Sequence, residues 1–338
     1  MGYYLDGVMT AAPIDTMFDT YAFLPSFDYH HDGALDDELA GCRTFTKQSL
    51  ERYYDVQFDR QANMGALNEA AAQVKAALGI PNFRGELYLP IFTPVPTIAI
   101  FGEARGRLLD FREEADRLVA IEWQVEQQVL RMRDSGFEHI KLAGFYYVTE
   151  GLLPEQELVI PLLRHLNEYT RVRGYRTQWN TYNHWNTGYY RWKELGFKSC
   201  SQQTGYIPYM KGEEPYRSAQ VKESMEEFAI RTELYGMGVT LEWSHLVGGT
   251  RGWKRFKEYL EGGVRYGYML RPHTCYQLED GPRSVAAVAC GRPYSRKVNE
   301  DQAEKERRQM DVPAIRSLYR ELFMFIKGTL TEDDIFWG

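Results

Sequence analysis

Two glutamates stand where strand-like runs end: Glu150 closes "GFYYVTE" (144–150), and Glu242 closes "GMGVTLE" (236–242). A pair of facing carboxylates is what glycosidic-bond hydrolysis needs. One is protonated and donates to the leaving oxygen, while the other is ionised and attacks the anomeric carbon or activates a water. Apolar aromatic surroundings raise the pKa of the acid member, and Tyr146, Tyr147, Trp179, Trp185 and Trp243 are available nearby in sequence. On this reading Glu150 is the acid/base and Glu242 the nucleophile. The bland alternative is a salt-bridge partner or a charge at a helix N-terminus. Asp19, within "FDTYAFL" (18–24), is a third carboxylate, either facing inward or serving as a structural hydrogen-bond acceptor.

Polar and aromatic residues cluster around the same strand ends. "QWNTYNHWN" (178–186) carries Trp179 and Asn180, "SQQTGYIPY" (201–209) carries Gln202, Gln203 and Tyr206, and "PHTCYQ" (272–277) carries His273, Tyr276 and Gln277. Amides that both donate and accept, beside rings that stack on C–H faces, suit a sugar-binding cleft. Asp19, Tyr147, Trp179, Asn180, Gln203, Tyr276 and Gln277 are therefore the candidate substrate-binding residues.

Composition narrows the alternatives. With 14% aromatic residues, 24 of them tyrosine, the chain is rich in rings that serve half-polar surfaces, or a tyrosine-rich core. The net charge of −7 and the absence of a basic patch argue against nucleic acid; "KERRQ" (305–309) is flanked by acids and reads as a solvated face. Four cysteines without CxxC spacing and seven histidines without HExxH point to no metal and no cofactor. No apolar run approaches the length of a membrane span. The start, "MGYYLDGVMTAAP", lacks a basic leader. Location is secreted or periplasmic if a leader was trimmed, and cytoplasmic otherwise. The partner expected is a carbohydrate; the sequence does not set the oligomeric state.

The elements that must position these residues alternate. Strand-like runs fall at 4–9, 18–24, 86–92, 139–148, 176–182, 198–203, 239–243 and 267–271. Helical patterns lie at 47–79, 112–135, 154–173, 188–195, 216–235, 251–264 and 312–327, with Gly79 and Gly136 as stops. Repeated strand–helix alternation without a GxGxxG turn predicts a single domain, 1–338, folded as a (β/α)8 TIM-like barrel. Catalytic groups then sit at the C-terminal strand ends, and the two glutamates follow strands four and seven. The first unit is reduced or irregular, because about eight residues separate the first two strands, too few for a helical crossover.

With "FDTYAFL", "LAGFYYVTEGL" (142–152), "YGMGVTLEW" (235–243), "FKEYLEGGVRYGYM" (256–269), "HTCYQ" (273–277) and "LFMFIKGTL" (322–330) in order, the chain resembles the bacterial family known as domain of unknown function 4855. The resemblance implies a glycoside-hydrolase-type barrel acting on a poly- or oligosaccharide. It makes Glu150 and Glu242 the strand-end carboxylates and puts Gln203, Tyr276 and Gln277 in the cleft. The sequence departs from that pattern before residue 17. It also has "TE" at 149–150 where many retaining enzymes carry Asn-Glu, so the 2-hydroxyl contact either comes from elsewhere, such as Asn180 or Gln203, or is absent. A carboxyl separation of about 5–5.5 Å means retention and about 6.5–9.5 Å inversion; the strand positions point to retention. Two other classes stand beside this reading: a non-catalytic carbohydrate-binding barrel, and a polysaccharide lyase with Tyr276 as base and Arg271 in a basic subsite.

Overall fold

The computed structural model describes residues 2–4, 12–23, 45–96, 98–152, 156–181, 188–203, 224–243, 252–272, 274–278, 282–289 and 313–338. In chain order the strands are β1 (Gly2–Tyr3), β2 (Asp15–Thr16), β3 (Thr20–Ala22), β4 (Gly85–Ile91), β5 (Gly102–Ala104), β6 (Arg107–Leu109), β7 (Ile140–Tyr147), β8 (Arg176–Thr181), β9 (Ser199–Gln203), β10 (Gly238–Trp243) and β11 (Cys275–Leu278). The longer helices are α1 (Lys47–Gln57), α2 (Asn63–Leu78), α3 (Glu114–Ser135), α4 (Gln156–Arg171), α5 (Met225–Leu234), α6 (Gly252–Arg265), α7 (Pro282–Ala289) and α8 (Leu318–Ile326). The chain forms two compact units, one of Phe18–Trp179 with Asn186–Ser199, the other of Gly2–Met17, Asn180–Trp185 and Cys200–Gly338.

The first unit is built on parallel strands in the order β3-β4-β7-β8. Phe145, Tyr146 and Tyr147 of β7 are all buried, as expected of a parallel strand covered on both faces. Where β4 meets β7 the register skips Ala143, so that Leu87 pairs with Leu142 and Tyr88 with Gly144. Gly144 is required at this irregularity: a Cβ there would collide with the Arg176 carbonyl oxygen and the Tyr88 ring. At the N-terminal edge Glu86 accepts from Lys141 at 2.9 Å and pairs with Arg176, tying β4, β7 and β8 together. Burial pushes the Glu86 carboxyl up, but the hydrogen bonds and charges of Lys141 and Arg176 outweigh it and hold its pKa below the ordinary 4.5.

Beyond β4 the chain enters an aromatic cluster, where Phe45, Tyr54, Phe92, Phe101, Phe111 and Trp123 pack under the β5–β6 hairpin. Arg105 (φ +51°) and Gly106 (φ +78°) make the two-residue turn of that hairpin. The buried Gln124 amide both accepts from Phe92 N and donates to Phe92 O at 2.9 Å, and Gln128 donates to Pro90 O at 3.0 Å. The helix expected over 47–79 is broken in two by the Asp59 side chain, which accepts from the backbone of Gln61 (2.6 Å) and Ala62 (3.2 Å). Gly79 and Gly136 end α2 and α3 in left-handed conformations, as their positions predicted.

The second unit has the parallel order β9-β10-β11 and a separate antiparallel pair, β1 with β2. Its core is drawn from α6 and α8. Gly262 and Gly263, the paired glycines of "FKEYLEGGVRYGYM", admit Tyr268 and Phe325 where a Cβ would clash. Lys257 is fully buried and donates to Glu321 (2.8 Å), Ser317 (2.8 Å) and the Phe336 carbonyl oxygen. Burial lowers the Lys257 pKa, opposed by Glu321.

The mixed α/β class is as expected, but the closed eight-stranded barrel is not formed. Among the described residues the parallel strands number fewer than eight. The outermost two, β3 and β11, each have a neighbour on one side only, whereas closure would leave no edge. The run at 267–271 is not a strand but a 3-10 turn, Tyr268–Leu270, entered through Gly267 at φ +77°. Likewise 188–195 holds a 3-10 turn, Tyr189–Arg191, rather than a helix. At the start of the chain β1 runs antiparallel to β2, the pairing that a short connection permits; residues 5–9 and the stretch 305–309 lie outside the described residues. Counted along the described parallel strands, β7 is third and β10 sixth, rather than four and seven. No described helix is long and apolar enough to cross a membrane.

Two outcomes follow. Gly144→Ala should lower stability by roughly 1–3 kcal/mol through overpacking, read from a urea denaturation midpoint. Because the folded pKa of Glu86 is depressed, its contribution to stability is present above about pH 4.5 and is lost as pH falls through the depressed folded value. Glu86→Gln should therefore flatten the acid limb of the stability–pH profile; an unchanged limb would show that the ion pairs carry nothing.

Candidate functional site

In the second unit the in-register pairing of β10 decides which side chains share a face. Gly238 lies beside Ser201, Val239 beside Gln202 and Thr240 beside Gln203; on the other side Thr240 lies beside Cys275, Leu241 beside Tyr276 and Glu242 beside Gln277. Neighbours in a parallel ladder face the same way, and successive residues alternate. One face therefore carries Ser201, Gln203, Thr240 and Glu242, with Gln277 at the register position beside Glu242. The opposite face carries Cys200, Gln202, Val239, Leu241 and Tyr276.

That opposite face is the core. Val239, Leu241 and Cys200 are fully buried, Gln202 is bound by Arg231 of α5, and the Tyr276 ring meets Phe325 edge-on at 6.3 Å. Burial raises the Cys200 thiol pKa well above its usual value, so it behaves as a small apolar side chain. Arg271 donates to Thr232 Oγ1 (2.8 Å), Ala229 O (3.0 Å) and Glu233 (3.2 Å), which fastens it to α5.

The first face is polar although most of it is buried. Asn180, Ser201, Gln203 and Thr240 are each at most 3% exposed, and Glu242, further toward the C-terminal end, is half-buried. Asn180 Oδ1 accepts from Thr240 Oγ1 at 2.6 Å and from Ser201 Oγ at 3.3 Å. Thr181 Oγ1 donates to Ser201 O at 3.4 Å. Side by side at a carboxyl-end strand edge, where parallel sheets bind their ligands, these groups offer hydroxyls and amides around a carboxylate.

The first unit positions Glu150 differently. Thr93 Oγ1 lies 2.8 Å from both the Tyr147 and the Thr149 hydroxyls, and Trp179 Nε1 donates to Thr149 O at 2.8 Å. The chain is thus pinned just before Glu150, which is half-buried beyond the C-terminal end of β7. Tyr147 and Trp179 themselves are buried, with Trp179 stacked on Phe197 at 5.2 Å, so both rings are part of the core. Asp19 lies at the other end of this sheet. It is exposed, accepts from Thr20 Oγ1 at 2.9 Å, and its carbonyl oxygen accepts from Glu86 N at 2.7 Å. Six strand residues separate that level from Tyr147, roughly 20 Å.

Of the residues nominated from sequence, the structure gathers Asn180, Gln203 and Glu242, with Gln277 in register, and puts the half-buried Tyr276 on the opposite face against Phe325. Tyr147, Trp179 and Glu150 belong to the first unit, with Asp19 at its far edge. Tyr182, His184, Trp185, Tyr206 and His273 lie outside the described residues. Sequence reasoning passed over Ser201 and Thr240, although each stands two residues before a nominated one, the spacing that puts strand residues on one face. Among the described residues no three His, Cys, Asp or Glu side chains cluster as a metal centre would require.

These features define a mixed α/β protein with parallel strands and a polar, carboxylate-bearing face at their C-terminal ends. The model of the family described as domain of unknown function (DUF4855) matches residues 5–307, and the chain belongs to that family. No curated protein and no solved structure matches the chain.

Since Trp179 is core, Trp179→Ala should destabilise the protein by about 3–5 kcal/mol. Chemical denaturation followed by circular dichroism would check this. A stable variant that had lost only ligand affinity would contradict the placement.

Proposed function

We propose that the protein acts on a carbohydrate, hydrolysing a glycosidic bond, with Glu242 as a reacting carboxylate. The observation that supports this best is the polar face of β9–β11. Parallel strands are normally apolar on both sides, whereas this face is polar. Asn180, Ser201, Gln203 and Thr240 concentrated beside one carboxylate therefore suit recognition of a ligand rich in hydroxyls. Hydrolysis uses two carboxylates. Glu150, held in the first unit just after Thr149, is the other carboxylate nominated from the sequence, and its part in turnover is decided by substitution.

A second reading, carbohydrate binding without chemistry, is favoured by one observation: in the second unit the described polar face has a single carboxylate among neutral groups. A polysaccharide lyase is less well supported, because Tyr276 packs on Phe325 and Arg271 is engaged with α5.

The test is turnover of aryl glycosides and neutral oligosaccharides by the full chain. Glu242→Gln and Glu150→Gln should each cost about 10²–10⁴-fold in turnover, with melting temperatures close to wild type. Activity that survives both changes sinks the hydrolase. Binding without turnover, unaffected by either change, supports the second reading.

A further inference from the structure

We propose that the segment Thr331–Trp337 is a strap that opens and closes as one cooperative unit with α6 and α8, because its main chain completes the buried Lys257–Glu321 pair. The ammonium has three protons and three acceptors: Glu321 Oε1 and Ser317 Oγ, each at 2.8 Å, and the Phe336 carbonyl oxygen. Phe336 also serves the other member of the pair, its N–H donating to Glu321 Oε1 at 3.0 Å. The strap thus gives one main-chain group to each charge. Both side chains are shielded from water, at 0% and 2% exposure.

Among the described residues no other group stands ready to replace those two bonds. Ser317 Oγ gives its own proton to Ala314 O at 3.1 Å, and Glu321 Oε2 is buried with no partner. If the strap lifts, the lysine keeps two acceptors and the carboxylate a single donor, and under-bonded charges in a dry interior are costly. Water must then enter between α6 and α8, so strap and helices part together. The remaining ties of the strap are fewer. Ile335 is buried, while Glu332 meets Arg265 at 2.9 Å in an exposed ion pair of the kind that contributes little. Thr331 N and Oγ1 donate to Asp334 Oδ2, at 3.0 and 2.6 Å, and shape the strap's own turn. Because α6 also packs against β10, a disturbance at the strap reaches the back of the strand that carries Glu242.

Native-state hydrogen exchange of the full chain, read residue by residue by NMR at low urea concentrations, tests this without any ligand. In the wild-type protein the Phe336 amide should exchange with the same opening constant and the same urea dependence as the slow amides of α6 and α8. A Phe336 amide that exchanges faster than those helices, and without urea dependence, frays alone and overturns the proposal.

Two variants separate the parts. Ile335→Ala loosens the strap without touching the pair, and should raise exchange at Phe336, α6 and α8 by one common factor of about tenfold or more. A rise confined to the strap means that the helices do not depend on it, and the coupling is wrong. Lys257→Met combined with Glu321→Leu replaces the pair by apolar side chains of similar size, so the helices no longer need the strap. There Phe336 should exchange at least about tenfold faster than in the wild type while α6 and α8 stay within about twofold. A strap as protected as in the wild type, or helices that open with it, would show that the pair is not the link, and the proposal fails. If this double variant does not fold, the wild-type isotherms and Ile335→Ala decide.

Discussion

Parallel hydrogen bonding of β10 to a neighbour on each side is the constraint on which the candidate site depends. A strand so held has no choice of register. A slip of one residue would turn Thr240 and Glu242 toward the helices and bring Val239 and Leu241 out of the core. The helix side enforces the choice: Val239, Leu241, Phe256, Tyr259 and Leu260 are buried without polar exposure, and α6 and α8 close on one another through Gly263 and Phe325. The buried Lys257–Glu321 pair fixes α6 to the α8 segment and, through Phe336, to the final residues. Removing one partner of such a pair strands a charge in the interior and destabilises the packing around it.

In the first unit the two ends of the sheet are held by different chemistry. Charge holds the N-terminal edge, where Glu86 gathers Lys141 and Arg176. Neutral hydrogen bonds hold the C-terminal edge, where Thr93, Tyr147, Thr149 and Trp179 converge on the few residues before Glu150. The aromatic part of the run, Phe145–Tyr147, is buried, Val148 and Thr149 are half-buried, and Glu150 follows after that burial has already fallen off. Burial also explains the aromatic abundance. Tyr54, Tyr147, Tyr259, Tyr268 and Trp179 are among the largest fully buried side chains, so these rings pack the interior.

Much was readable in the residues themselves. Six of the parallel strands fall within a residue or two of their expected places, because β-branched and aromatic runs bounded by Gly, Pro and polar clusters have few other conformations. The ends of α2 and α3 were readable because glycine alone takes the left-handed cap without cost. The strand Cys275–Leu278 was not, since "CYQL" is too short to show a period and the preceding "GYML" has the more strand-like composition. Gly267 turned that stretch into a 3-10 turn, a local choice that propensity does not reveal.

What the sequence determined by itself is the alternation of strands with helices, the helix stops and the family; each is encoded locally, in period, cap or motif. The tertiary structure decided whether the strands close, and it left β3 and β11 as edges, because closure depends on pairing between distant segments that no local pattern specifies. It likewise decided which nominated residues share a surface. Asn180, Gln203 and Glu242 meet on one face, while Tyr276 is turned away, because strand register assigns faces and register is a property of the paired strands, not of either alone.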